Sequence, residues 1–234
     1  MDRRLFTSLP VPLLASFVLL AQRQAYALSI DELTNADASK GLKAALEQGA
    51  ISAVNLLGKS DGFLGNDKVR IPLPGFLEDA GKLLRRFGQG ARIDELVTAM
   101  NRAAESAVPR GKDLLVGAVK AMSVSDAKKI LTGGETSVTT FFAEKTRMPL
   151  GVKFLPVVTK ATEKVGLAEK YNRVASKAAG FGLVKKEDAN IQQYVTGKTL
   201  DGLFFMIGEE EKKIRQDPVG TGSALLQKVF GALK

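Results

Sequence analysis

Apolar residues recur at helical spacing along most of the chain. Between Asn35 and Leu57, Leu42, Leu46, Ile51, Val54 and Leu57 follow one another at three- to five-residue steps. Asn35 or Asp37 stands where a cap belongs, and Gly58 ends the run. Lys59 to Pro74 breaks the pattern: it is rich in Gly, Asp, Asn and Pro around a short Val69-Arg70-Ile71 run. This predicts an ordered loop with one short extended segment near residues 66–73. Pro74 then opens a helix to Phe87, closed by Gly88. Ala91 to Val108 is the most regular helix, with Ile93, Leu96, Val97, Met100, Ala104 and Ala107 on one face. Asp94, Thr98, Asn101, Arg102 and Glu105 are expected away from that face.

Pro109 and Gly111 mark a junction, after which Leu114, Leu115, Ala118, Val119 and Met122 continue the spacing. Ser123 or Ser125 caps a short helix ending at Gly133-Gly134. Glu135 to Arg147 predicts a helix, with Pro149 and Pro156 breaking or restarting helices before Val157, Val158, Ala161 and Val165. Ala168 to Ala179 is a further short helix, stopped by Gly180 and Gly182. Glu187 to Arg215 is the longest, with Ile191, Tyr194, Val195, Leu203, Phe204 and Ile207 on one stripe. Ala224 to Leu233 adds an amphipathic turn or two. There is no repeat, low-complexity tract or clean linker, so the expectation is all-α: a single compact multi-helix domain over residues 28–234.

Ahead of that domain, residues 1–27 read as a cleavable export signal. Asp2-Arg3-Arg4 is a short basic start, Val11 to Ala21 is apolar, and Ala25-Tyr26-Ala27 is a small-x-small cleavage pattern. The apolar stretch is broken by Pro10 and Pro12 and is about half the length a membrane-spanning helix needs. The expected product is a free, soluble, periplasmic protein. Arg3-Arg4-Leu5-Phe6 also fits a twin-arginine signal, and Arg23 suits that route; the general secretory route remains the alternative.

Composition then narrows the chemistry. The chain has no histidine, cysteine or tryptophan. That excludes Ser-His-Asp triads, cysteine nucleophiles, the usual zinc sites, and haem held by histidine or cysteine. No catalytic residue, cofactor or metal is assigned, although carboxylate pairs for hydrolysis stay possible. The formal charge is +9, and falls to +7 once the leader's three arginines and one aspartate are gone. All of that excess sits between Thr140 and Lys186, where ten basic residues face three acids. Such a segment suits anionic envelope surfaces, or simply a solvated helical face. No nucleic-acid-binding motif accompanies it, and nucleic acid is not an expected partner.

Few residues stand out as sites. Gly197-Lys198-Thr199 matches the end of a phosphate-binding loop, but position 192 is Gln where the motif needs Gly, and no strand precedes it. Gly133, Gly134 and Thr136 precede a helix, where free N–H groups can hold an anion; helix stop-and-restart chemistry explains them equally well. Asn101, Arg102 and Glu105 form a polar cluster on one turn, with Arg102 and Glu105 an i, i+3 pair. Asp201 lies in an apolar run (Leu200, Leu203, Phe204, Phe205) and is expected to be partly buried, with Arg102 or Arg215 as its cation. Asn101, Arg102, Glu105, Asp201 and Arg215 are therefore the ligand-binding candidates.

Several of these stretches also carry a resemblance. Asn35 to Leu42, the Gly62-Phe63-Leu64-Gly65-Asn66 loop running into Ile71-Pro72-Leu73-Pro74, and Met100-Asn101-Arg102-Ala103-Ala104-Glu105 belong to it. So do Asp126-Ala127 with Ile130-Leu131, Tyr194-Val195, Leu200 to Phe204, and Glu210 to Arg215. Together they resemble an exported bacterial family, domain-of-unknown-function family 4197, over nearly the whole chain after the leader. The resemblance implies a bacterial, periplasmic protein and brings no activity or catalytic residue with it. The leading expectation is a non-enzymatic protein binding an envelope component or an apolar small molecule between helices, with Phe204, Phe205 and Met206 as a pocket wall. The alternatives are a carboxylate-dependent hydrolase acting on an envelope glycan or ester, and a structural or stress-related partner protein. Two buried, facing acids near Asp201 would favour the hydrolase; isolated ion pairs would count against it.

Overall fold

Leucine and alanine at helical steps build α1 (Asn35–Leu57), which buries Leu42, Ala45, Leu46, Ala50, Ala53, Val54 and Leu57. In this computed structural model the described residues are 35–88, 90–163, 165–182, 185 and 188–216. The expected leader (1–27) and the closing turn (224–233) lie outside them. The chain continues through α2 (Gly75–Arg86), α3 (Gly90–Ala107), a 3₁₀ turn (Val108–Gly111), α4 (Lys112–Lys120) and α5 (Val124–Thr132). It ends with α6 (Ser137–Thr162), α7 (Gly166–Gly180) and α8 (Ile191–Gln216). The fold is all-α, one compact domain around one hydrophobic core, with no strand among the described residues. No described helix is long and apolar enough to cross a membrane.

Local chemistry sets most boundaries. Ser123 caps α5 in a reciprocal box: its hydroxyl accepts from the Asp126 N–H, and the Asp126 carboxylate accepts from the Ser123 N–H. Pro74 starts α2, its carbonyl accepting from Leu77 N at 2.8 Å. Arg85 and Arg86 end that helix, where its dipole favours cations. Helix α8 packs against α1, α3 and α6, so its two-sided apolar sequence is mostly buried.

Three expectations are corrected. First, α6 runs unbroken through Pro149 and Pro156. Phe142, Thr146, Leu150, Phe154, Val158 and Thr162 are all buried, four residues apart, and give one continuous line of packing. Both prolines are exposed. The carbonyls that lose a donor, four residues earlier at Lys145 and Val152, belong to exposed residues that water can reach. Second, the segment near 66–73 is not extended throughout: residues 67–69 form a turn, with the N–H groups of Val69 (3.0 Å) and Arg70 (2.8 Å) bonding the Asn66 carbonyl, and a side chain of α3 stands where a strand partner of Ile71 would be. Third, Asn101 and Glu105 do not lie away from the apolar face of α3. They are 0% and 5% exposed.

Candidate functional site

The loop between α1 and α2 would be an unsupported chain of turns without α3. Glu105 Oε1 accepts from the backbone N–H groups of Phe63 (3.0 Å) and Leu64 (3.1 Å). Its Oε2 accepts from Arg102 Nη1 at 2.7 Å, and Arg102 also reaches Ser60 Oγ (3.0 Å) and Asp61 Oδ1 (2.8 Å). Asp61 holds a left-handed φ of 64°, which a short polar side chain tolerates. At Gly62 a Cβ would lie 2.4 Å from the Leu57 carbonyl oxygen, so only glycine fits that approach.

One turn back on α3, Asn101 treats Ile71 as a strand neighbour would. Its Oδ1 accepts from Ile71 N (2.8 Å), and its Nδ2 donates to the carbonyls of Ile71 (2.9 Å) and Val97 (2.8 Å). Phe63 is thereby held in the core with no exposed surface, against α8 at Gly202. The Met100 to Glu105 stretch is thus a clamp. Met100, Ala103 and Ala104 pack the core while Asn101, Arg102 and Glu105 fasten the loop.

The clamp positions the far end of the loop along α8 and leaves a groove between them. One part of it, of about 490 Å³, is lined by residues including Pro72, Glu78, Arg147, Lys185, Tyr194, Lys198 and Asp201. A second, of about 340 Å³, shares Pro72, Lys198 and Asp201 and adds Lys68, Arg70 and Phe205. Tyr194 donates its hydroxyl to the Pro72 carbonyl at 3.2 Å, and burial pushes the phenol up to about 12. Lys198 lies over the Tyr194 ring, and Arg147 over that of Phe204. The groove is amphipathic, with cations outnumbering acids along it.

Asp201 stands where the two parts meet. It is half-exposed, not buried, and its cation is neither Arg102 nor Arg215. Arg147 of α6 meets it at 2.7 Å and Lys198 at 4.0 Å. Of the expected pocket wall, Phe204 and Met206 are buried in the core and only Phe205 faces the groove. Gly197, Lys198 and Thr199 lie inside α8, where the Thr199 hydroxyl is spent on the Val195 carbonyl, so they form no phosphate cradle. Arg147 and Tyr194 enter the site without having been site candidates in the sequence, and Lys198 had stood out only within the failed phosphate-loop match. The only local signal was the concentration of cations on α6.

Arg215 belongs to a separate network at the start of α6. It bonds Glu211 Oε1 (Nε, 2.9 Å), the Ile130 carbonyl and Ser137 Oγ (both 3.2 Å). Glu211 is buried, and burial raises its carboxyl above the usual range while Arg215 and the Val138 N–H oppose the shift. The turn carrying Gly133, Gly134 and Thr136 therefore already faces an internal carboxylate at the first turn of α6. Its bonds are those of one helix stopping and another starting: Ser137 N to the Gly134 carbonyl, and Ser137 Oγ to the Ile130 carbonyl. No group of three or more acids able to hold a metal occurs among the described residues.

Fold and site together define a compact helical protein with a clamped loop and an amphipathic groove. Residues 32–231 match the family model described as "Protein of unknown function (DUF4197)", and the chain belongs to that family. Comparison with curated proteins and with solved structures gave no match.

Proposed function

We propose that this is an exported, periplasmic, non-enzymatic binding protein that takes an anionic amphiphilic envelope component into the groove along α8. The observation that carries the reading is the state of Asp201: half-exposed and held by Arg147, with Lys198 beside it. A hydrolytic pair needs two carboxyls facing one bond, whereas the buried acids Glu105 and Glu211 are each engaged by an arginine. Cations from three segments (Lys68 and Arg70, Arg147, Lys198) beside Phe205 suit a ligand with an acidic head and an apolar body. The leader pattern supports the envelope as the place where this ligand is met.

Native mass spectrometry of the protein purified from its own host tests the reading. The expected result is a discrete adduct that is lost when Arg147→Ala and Lys198→Ala are combined. A bare chain mass in the parent protein would overturn it. So would turnover of an envelope ester or glycan that Asp201→Asn abolishes.

A further inference from the structure

Asp201 differs from the two buried acids. Glu105 and Glu211 lie buried beside their arginines, and Glu105 also holds the backbone of the loop. The Asp201 and Arg147 side chains are 51% and 46% exposed. Among the described residues the Asp201 carboxylate takes one hydrogen bond, from Arg147 at 2.7 Å, and carries no backbone group. A pair that wet adds little to stability. Nor do the cations need Asp201 to keep their places. Arg147 lies 5.8 Å from the centre of the Phe204 ring and Lys198 5.9 Å from that of Tyr194, and both rings are buried.

The two parts of the groove share Pro72, Lys198 and Asp201, so a ligand lying along both passes over this pair. An acid group entering there meets the two cations that Asp201 already faces, Arg147 at 2.7 Å and Lys198 at 4.0 Å. The two anions cannot both be served at full strength, because each repels the other across the same cations. The remaining charges stand to either side. Lys68 is taken by Glu209 at 2.7 Å, and Arg70 lines only the smaller part. Lys185, Glu78 and Asp188 line only the larger.

We infer that Asp201 is the gate of the groove: an internal counter-ion that holds Arg147 and Lys198 before the ligand arrives and is displaced by the ligand's acid group. The inference rests on the groove reading above and adds its regulation. A tethered carboxylate competes at an effective concentration of about millimolar or more, so dilute small anions are turned away. A ligand whose apolar body also gains from Phe205 opens the pair. The exchange swaps one ion pair for another and changes no covalent bond.

Calorimetric titration of the full chain at low salt with octyl phosphate, an acidic head on a single apolar chain, tests the gate. Asp201→Asn keeps the size of the side chain and removes its charge, and is expected to tighten binding by about threefold or more. Glu78→Gln removes a charge that lines the same groove but pairs with neither cation among the described residues. It is expected to change the affinity by less than about twofold. With Arg147→Ala in place, Asp201→Asn loses most of its effect, because the contact it releases is already gone. If the parent binds, Arg147→Ala weakens binding, and Asp201→Asn is weaker or unchanged, the gate is overturned while the groove reading stands. An equal gain from Glu78→Gln also overturns the gate, since general repulsion then accounts for it. No binding by the parent or by Asp201→Asn overturns the groove reading and the gate together.

Discussion

Asn101→Ala tests whether the clamp holds the loop as its geometry says. Asn101 has no exposed surface and makes three hydrogen bonds, two of them to Ile71. Losing the two Ile71 bonds costs about 1 kcal/mol each. Leaving a buried amide without a partner adds about 1–3 kcal/mol, so the substitution is expected to cost about 3–5 kcal/mol. That is a large share of the roughly 5–15 kcal/mol typical of a whole domain. Urea unfolding followed by circular dichroism measures it as a fall in midpoint at unchanged slope. Asn101→Asp supplies the discriminating control. A carboxylate can still accept from Ile71 N–H, but it faces two carbonyl oxygens to which it cannot donate. Burial and those carbonyls raise its folded pKa above the unfolded value of about 3.9. The folded state then binds the proton more tightly. The variant is least stable above its folded pKa, and recovers relative to the parent as pH falls through that pKa toward about 3.9. A cost below about 1 kcal/mol for Asn101→Ala would mean that these bonds do not hold the loop, as would an Asp variant that follows the parent at every pH.

Gly202→Ala would put a Cβ 2.8 Å from a ring carbon of the fully buried Phe63 and 3.3 Å from Val69 Cβ. Overpacking of about 1–3 kcal/mol should outweigh the gain in helix propensity, and thermal unfolding should show a lower Tm. Glu211 has a raised folded pKa, so in the parent this group lowers stability above that pKa and the deficit closes as pH falls toward its usual value. Glu211→Gln should therefore flatten the dependence: denaturation followed from pH 7 down to the usual carboxyl value of 4.5 should show the parent gaining on the variant in acid, and parallel behaviour throughout would contradict this. Tyr194→Phe removes the bond to the Pro72 carbonyl, with an expected cost of about 1 kcal/mol. In an ultraviolet titration it should also remove a tyrosinate step at about 12; a step lost near pH 10 would mean that the phenol is not buried.

The order of residues along the chain recorded local structure. The bounds of α1, the long apolar stripe of α8 and the Ser123 cap follow from interactions spanning a few residues, which apolar spacing and capping groups record directly. The i, i+3 contact of Arg102 with Glu105 was legible for the same reason. The continuity of α6 was not. Its buried residues come every four positions, so the packed line drifts by about 40° per step and winds around the helix, leaving no fixed apolar face to read. Only packing on several neighbours rewards that pattern, and only in the folded chain do the two prolines fall on the wet side. The burial of Asn101 and Glu105 was hidden too, since their partners Ile71 and Phe63 lie 30 and 42 residues away. Asp201 found Arg147 across 54 residues. Polar residues on α3 read as a solvated face until a loop without its own strand partner is laid against them; tertiary structure alone decides which buried amides those side chains must satisfy.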